Sequence, residues 1–215
     1  LAMWPKLRYG ARMSPPREHR PIDERRQQLI DAGIELLAEE GVAAVTTRAV
    51  TSRAGLPHGS FHYCFPTKGA LFAAILESEI SQTMGVAFTP PQESHSAKEH
   101  LERGLLAHLE LTRAHPERAL ALNELTAIAH RDPDLQHLST WEHTEYIREV
   151  TANLDEWANT RKLRLTIPTS EAAAFLVAVA DGVSSSWLKN RDADAANRSI
   201  KLAAQTIATL IEEDA

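Results

Sequence analysis

The chain has 215 residues, 43% of them hydrophobic and 24% charged, with a net charge of −6. That balance lets a chain bury a core and excludes collagen-like or low-complexity classes, and 9 Gly and 11 Pro leave few tight turns for an all-β fold. The single cysteine, Cys64, excludes an intramolecular disulfide framework and fits a reducing compartment.

Charge is unevenly spread. Residues 1–68 hold 10 Lys and Arg against 7 Asp and Glu, whereas 69–215 hold 13 against 22. Most of the excess lies in residues 1–20 (Lys6, Arg8, Arg12, Arg17, Arg20), read as a disordered basic arm that can bind polyanions or simply stay solvated. Met3 and Met13 are its candidate native starts. The arm lacks the apolar stretch of a secretory signal. The longest apolar run, Ala172 to Ala180, has nine residues. A bilayer span needs about 20, so no membrane partner and a cytoplasmic location are expected.

Apolar positions recur at helical spacing nearly throughout, with no convincing strand alternation, so an all-α fold of about nine helices is expected. The first helix runs from about Asp23, a plausible N-cap, to Glu40 and stops at Gly41. A short second helix starts at Thr46 or Thr47 and ends with Gly55 at its C′ position. The third spans Pro57 to about Phe65, since proline is tolerated in a first helical turn. Thr67 caps a fourth helix, "KGALFAAILESEISQTM", and "GVAFTPPQESHSA" is the best linker. Five further helices are expected at 97–114, 116–131, 133–163, 169–189 and 193–213. The expected units are the arm at 1–20, a three-helix domain at 21–68, whose role rests on the motif it carries, and a larger helical domain at 69–215.

Two short helices joined by a Gly-containing turn describe a helix-turn-helix, whose second helix enters the DNA major groove. In "PHGSFHYCF", Phe61 and Phe65 lie four apart and point inward. The other face presents His58, Gly59, Ser60, His62 and Tyr63, able to meet phosphate oxygens or base edges. Thr46 and Thr47 offer hydroxyls and N–H groups to an anionic oxygen, and Lys68 adds a phosphate-pairing charge.

The segment from about Arg25 to Leu76 resembles the DNA-binding domain of the TetR family of bacterial transcriptional repressors. The resemblance rests on "LIDAGIELLAEEGVAAVTTRAVTSRAG" and "GSFHYCFPTKGALFAAIL". It follows helix, Gly turn, Thr at the second helix, "AG" turn, Gly in the reading helix, aromatic, then Phe-x-x-Lys. It implies a dimer on a near-palindromic operator, with a C-terminal helical domain that binds a small-molecule effector and dimerises. It also implies a backbone contact for Thr47 with Arg48 at the next position, the reading-helix pair for Gly59 and Ser60, and the phosphate contact for Lys68. Here the reading helix continues His62-Tyr63-Cys64, so either His62 or Tyr63 takes the aromatic's phosphate role, and Gly69 replaces a usual Glu.

In the larger domain, Leu105, His108, Trp141, Trp157 and Asp181 are the candidate pocket residues, Asp181 because it interrupts an apolar helix. The last two helices carry broad apolar stripes that either close their own domain or pair with a second copy. The candidate dimer residues on them are Phe175, Val179, Val183, Trp187, Ile200, Ala204, Ile207 and Ile211. His58 and His62 have a metal-chelating spacing without a third ligand, and Pro133 divides the histidines of "HRDPDLQHLSTWEH" between two helices. No metal, cofactor or catalytic constellation is therefore expected. The competing readings are an all-helical enzyme or binding module with a vestigial helix-turn-helix, and a helical scaffold with a filled core.

Overall fold

The computed structural model describes residues 21–88 and 96–213, and among these it contains nine α-helices and one two-stranded ribbon. The basic arm and most of the Pro90-Pro91 linker lie outside the described residues.

Helix α1 (Ile22–Glu40) begins after Pro21 rather than at a capping Asp23, and Asp23 and Glu24 instead occupy its first turn, where carboxylates favour the positive helix end. Gly41, at φ +80°, ends it in a conformation that a side chain would resist. A 3₁₀ turn over Val42–Ala44 leads to α2 (Thr47–Arg53), capped by the Thr46 hydroxyl, which accepts from Ala49 N–H at 3.1 Å. Gly55 takes φ +64° just past α2. Helix α3 is shorter than its sequence pattern suggests, Ser60–Cys64, because Pro57 and His58 carbonyls accept from Ser60 and Phe61 in tighter three-residue steps. Thr67 caps α4 (Lys68–Ala87), its hydroxyl accepting from Ala70 N–H at 3.1 Å.

A reciprocal capping box between Ser96 and Glu99 starts α5 (Ala97–Ala114), and Pro116 opens α6 (Pro116–Ala129). Helix α7 (Gln136–Arg161) begins three residues later than expected, since Asp132 folds back to accept from Asp134 N–H and delays the helical ladder. The final helices are α8 (Thr169–Asn190) and α9 (Ala193–Ala208). The expectation of no strands is corrected at two short segments. Strand β1 (Leu163–Leu165) pairs antiparallel with β2 (Ile211–Glu213), which cuts the last helix at Ala208 instead of 213. Thr166 N–H donates to the Leu210 carbonyl at 2.8 Å, and Arg164 is ion-paired with Glu212 across the ribbon.

Two apolar cores form. The first joins α1, α2, α3 and the start of α4 through Leu29, Val50, Phe61, Phe65 and Phe72, and it recruits Ala121 and Leu125 of α6 and Leu138 of α7. Each fully buried large side chain there contributes roughly 2–3 kcal/mol of transfer free energy. The second joins α5, α7, α8 and α9 around Leu109, Leu154, Ala173 and Ile200. Helix α4 belongs to both, with Ile75 in the first and Met84 against the second.

Candidate nucleic-acid interface and ligand cavity

The α2–α3 pair is held from beneath and from the side. Phe61 and Phe65 are both fully buried, with ring centroids 5.9 Å apart, which leaves the opposite face of α3 to solvent. On that face His58, Gly59, His62 and Tyr63 are exposed and Ser60 is half-buried. Tyr63 is 65% exposed, and its ring is braced by the Arg25 guanidinium 5.8 Å from the centroid. Arg26 of α1 donates to the Cys64 carbonyl at 3.1 Å and lies 4.3 Å from the Phe65 ring centroid, fastening the end of α3 to α1. No local sequence pattern marks Arg25 and Arg26 for this role, because both contacts reach across 38 residues to α3. Arg53 of α2 pairs with Glu39 at 2.8 Å, Glu40 at 3.0 Å and Glu35 at 3.5 Å, placing a cation beside the acidic end of α1.

Helices α1, α5, α6, α8 and α9 each carry an acidic residue in the first turn; α2, α3, α4 and α7 carry none. Lys68, exposed at the first position of α4, even places a cation at the positive helix end, an arrangement that an incoming phosphate would relieve. Thr46 and Arg48 are exposed and Thr47 is half-buried along the same side of the motif. Cys64 is buried, and burial pushes its thiol pKa up, as expected of a packed and unreactive cysteine. His58 and His62 stand edge to face 6.3 Å apart, and no group of three metal-ligating side chains occurs among the described residues.

The larger domain holds two adjoining cavities. An apolar chamber of about 60 Å³ is walled by residues of α4, α5, α7 and α8, among them Met84, Phe88, Leu105 and Leu176. A wider space of about 390 Å³ lies beside it, reaching Arg118 and Leu122 of α6. Thr83, His108, Tyr146 and Asp181 border both. The Thr83 and Tyr146 hydroxyls are 3.5 Å apart. Burial lowers the pKa of His108, raises that of the Tyr146 phenol, and together with the nearby Asp181 charge pushes Glu142 up to about 7. Burial also raises the pKa of Asp181, partly countered by His143.

Of the residues picked out from the sequence, Leu105, His108 and Asp181 meet at these cavities. Trp141 and Trp157 do not. Trp141 packs against the N-terminal core, and Trp157 stacks on His100 with centroids 4.5 Å apart. Glu142, Tyr146 and Thr83 join His108 and Asp181 on the wall, and Glu142 and Tyr146, four apart on one helix, are the pair whose spacing the sequence shows. A third hollow, about 560 Å³, runs between α8 and α9 past Phe175, Val179, Val183 and Trp187. It also meets Leu202, which is 70% exposed. Ile200, Ala204 and Ile207 are at most 3% exposed and fill the chain's own second core, and Ile211 sits half-buried in β2.

Comparison with known proteins places these features in a family. Residues 29–75 match the bacterial regulatory proteins of the tetR family, and residues 97–212 match the C-terminal domain of BetI-type transcriptional repressors. The chain is 26% identical over 161 residues to the HTH-type nicotine-responsive transcriptional repressor HdnoR of Paenarthrobacter nicotinovorans, covering 75% of this chain and 82% of that one. It is 25% identical over 191 residues to the HTH-type transcriptional repressor AcnR of Corynebacterium diphtheriae, covering 86% and 93%. A TetR-family regulator from Rhodococcus sp. shares its fold with a TM-score of 0.67 at 22% identity, covering 86% of this chain and 99% of that one. Among the described residues no helix is long and apolar enough to cross a membrane. The chain belongs to the TetR family of bacterial regulatory proteins, the DNA-binding transcriptional regulators that the order and spacing of α1–α4 had pointed to.

Proposed function

We propose that the chain is a cytoplasmic, homodimeric repressor that grips a near-palindromic operator and releases it when a small molecule fills the C-terminal cavity. One observation carries this reading: α4 is a single helix whose Leu71, Phe72 and Ile75 are built into the reading head's core while its Thr83, Met84 and Ala87 wall the cavity. A ligand that displaces the far end of α4 therefore tilts the near end, and with it α3. In the dimer that changes the separation of two heads that must meet successive major grooves, about 34–36 Å apart. The coupling is reciprocal, so operator DNA weakens effector binding by the same factor.

Within the reading head, Thr46, Thr47, Arg48 and Lys68 are assigned to phosphates, and His58, Gly59 and Ser60 to the groove floor. Tyr63 is preferred to His62 for the remaining phosphate contact, because Arg25 steadies its ring. The functional division falls at 68/69, although the head's core borrows α6 and the start of α7. Phe175, Val179, Val183, Trp187 and Leu202 are assigned to the dimer contact. A relative that is nicotine-responsive by name supports a small-molecule trigger. The reading as an enzyme or module with a vestigial helix-turn-helix is not favoured, since both halves of the chain match repressor domains.

The test is a gel-shift titration against DNA upstream of the protein's own coding region, at two salt concentrations. Saturable binding that survives excess unrelated DNA is expected. Binding indifferent to sequence, or none, would return the helical-module reading.

A further inference from the structure

We propose that the C-terminal cavity selects a small amphiphile bearing one protonated amine, with its apolar part in the inner chamber and its N–H groups between Glu142 and Asp181. This rests on the reading of the cavity as the effector site and adds the chemical class of the effector.

The argument starts with the charges on the wall. Three carboxylates approach Tyr146: Glu79 from α4, Glu142 from α7 and Asp181 from α8. Glu79 is already ion-paired with Arg118 of α6, which also donates to Gln82 at 3.0 Å. Glu142 and Asp181 have no hydrogen bond or ion pair with any described residue. The other basic groups facing this space are His108 of α5 and His115 just past its end, with His143 of α7 acting on Asp181. Burial disfavours the charged form of His108, so it supplies a neutral ring and no compensating cation. Its imidazole likewise makes no hydrogen bond in the described structure, and it borders both cavities. Three polar groups with open hydrogen-bonding capacity thus converge on one space.

Their chemistry decides the ligand's charge. Arg118, the guanidinium on this wall, is already held by Glu79 and Gln82, whereas an anion placed there would meet two unpaired carboxylates. A neutral ligand would leave their mutual repulsion in place, and that repulsion, added to burial, already holds Glu142 half-protonated near neutral pH. An ammonium group neutralises both, donates to their oxygens in charge-assisted hydrogen bonds, and can rest on the Tyr146 ring. The adjoining chamber presents Met84, Phe88, Leu101, Leu105 and Val150, which suits a hydrocarbon or aromatic portion of the same molecule.

The test uses three ligands of one shape, 3-phenylpropylamine, 3-phenylpropanol and 4-phenylbutyrate, titrated calorimetrically into the full chain at about pH 8, where Glu142 is mostly ionised. The amine should bind at least about tenfold tighter than the alcohol, and the carboxylate weakest. Glu142→Gln and Asp181→Asn should each shrink the amine-to-alcohol ratio to about threefold or less. Alcohol or carboxylate binding that equals the amine's, a ratio untouched by both substitutions, or no binding by any of the three overturns the proposal. A parallel gel shift separates it from the reading beneath it. Amine binding that leaves the operator complex intact sinks the effector assignment and upholds amine selection; release by the alcohol alone does the reverse.

Discussion

Arg118 of α6 is ion-paired with Glu79 of α4, and the same guanidinium donates to Gln82 one turn further along at 3.0 Å. The pair is mostly sheltered, with the Glu79 side chain 15% exposed and that of Arg118 25%. It links the helix that bridges reading head and cavity to α6, which packs Ala121 and Leu125 into the head's core.

Removing one partner should cost more than removing both. Arg118→Ala leaves Glu79 beside Tyr146, in the field of Glu142 and Asp181, and should destabilise the fold by roughly 2–4 kcal/mol in denaturant titrations. The Arg118→Ala/Glu79→Ala double variant should recover roughly 1–2 kcal/mol of that loss, the coupling expected of groups in contact. Strict additivity would mean that the pair holds nothing together.

Glu142 makes stability depend on pH in an unusual direction. Its carboxyl is pushed from the ordinary glutamate range up to about 7 by burial and then by Asp181. Between those two values the unfolded chain has released the proton and the folded chain has not, so stability falls as pH rises through this window. Glu142→Gln removes the penalty. Allowing for partial solvent screening, it should raise stability by roughly 1–2 kcal/mol at about pH 8 and change little near pH 4.5. Melting curves at the two pH values check this, and a gain of equal size at both would place its origin in packing instead of charge.

The reading head gives two separable effects on DNA binding. Lys68→Ala should weaken binding to operator and unrelated DNA alike and reduce the log–log salt slope by about 1, the signature of one lost phosphate contact. Tyr63→Phe keeps the ring over which Arg25 sits and removes only the hydroxyl, so it should cost about 1 kcal/mol uniformly. Substitution of His58 or Ser60 should instead change which base is preferred. Fluorescence-anisotropy titrations over a panel of single-base operator variants distinguish these outcomes, and a base-specific loss for Tyr63→Phe would reassign the phosphate contact to His62.

These expectations draw on different depths of the sequence. The order of α1–α4 was legible because its signals are local: Thr46 and Thr67 as caps, Gly41 and Gly55 after helix ends, Phe61 and Phe65 one helical turn apart. The end of α9 was not, because Leu210 is captured by Thr166, 44 residues away, and no local pattern announces that bond. The cavity was half legible for a related reason. Its walls come from helices whose crossing decides which neighbour faces inward, so Trp141 drew the eye while Glu142 beside it took the wall. On α9 the regular apolar stripe of Ile200, Ala204 and Ile207 is used up internally. The exposed apolar residue is Leu202, which lies off that stripe.

Leu202 is therefore the sharpest probe of assembly. With Phe175 at 42% exposure it borders an open apolar hollow of about 560 Å³ on the face formed by α8 and α9. In an isologous contact each such residue meets its own copy or a close neighbour across the two-fold axis, so one substitution acts twice. Leu202→Glu would bury a pair of like charges there, at a cost that a surface leucine in a monomer would never incur. In sedimentation the parent chain should run as a dimer and the Leu202→Glu chain as a monomer, with the far-UV circular dichroism retained because Leu202 belongs to neither core. Operator affinity should fall by at least about a hundredfold, since a lone head forfeits the effective concentration that its tethered twin supplies. A Leu202→Glu chain that still sediments as a dimer would move the interface off this face of α9.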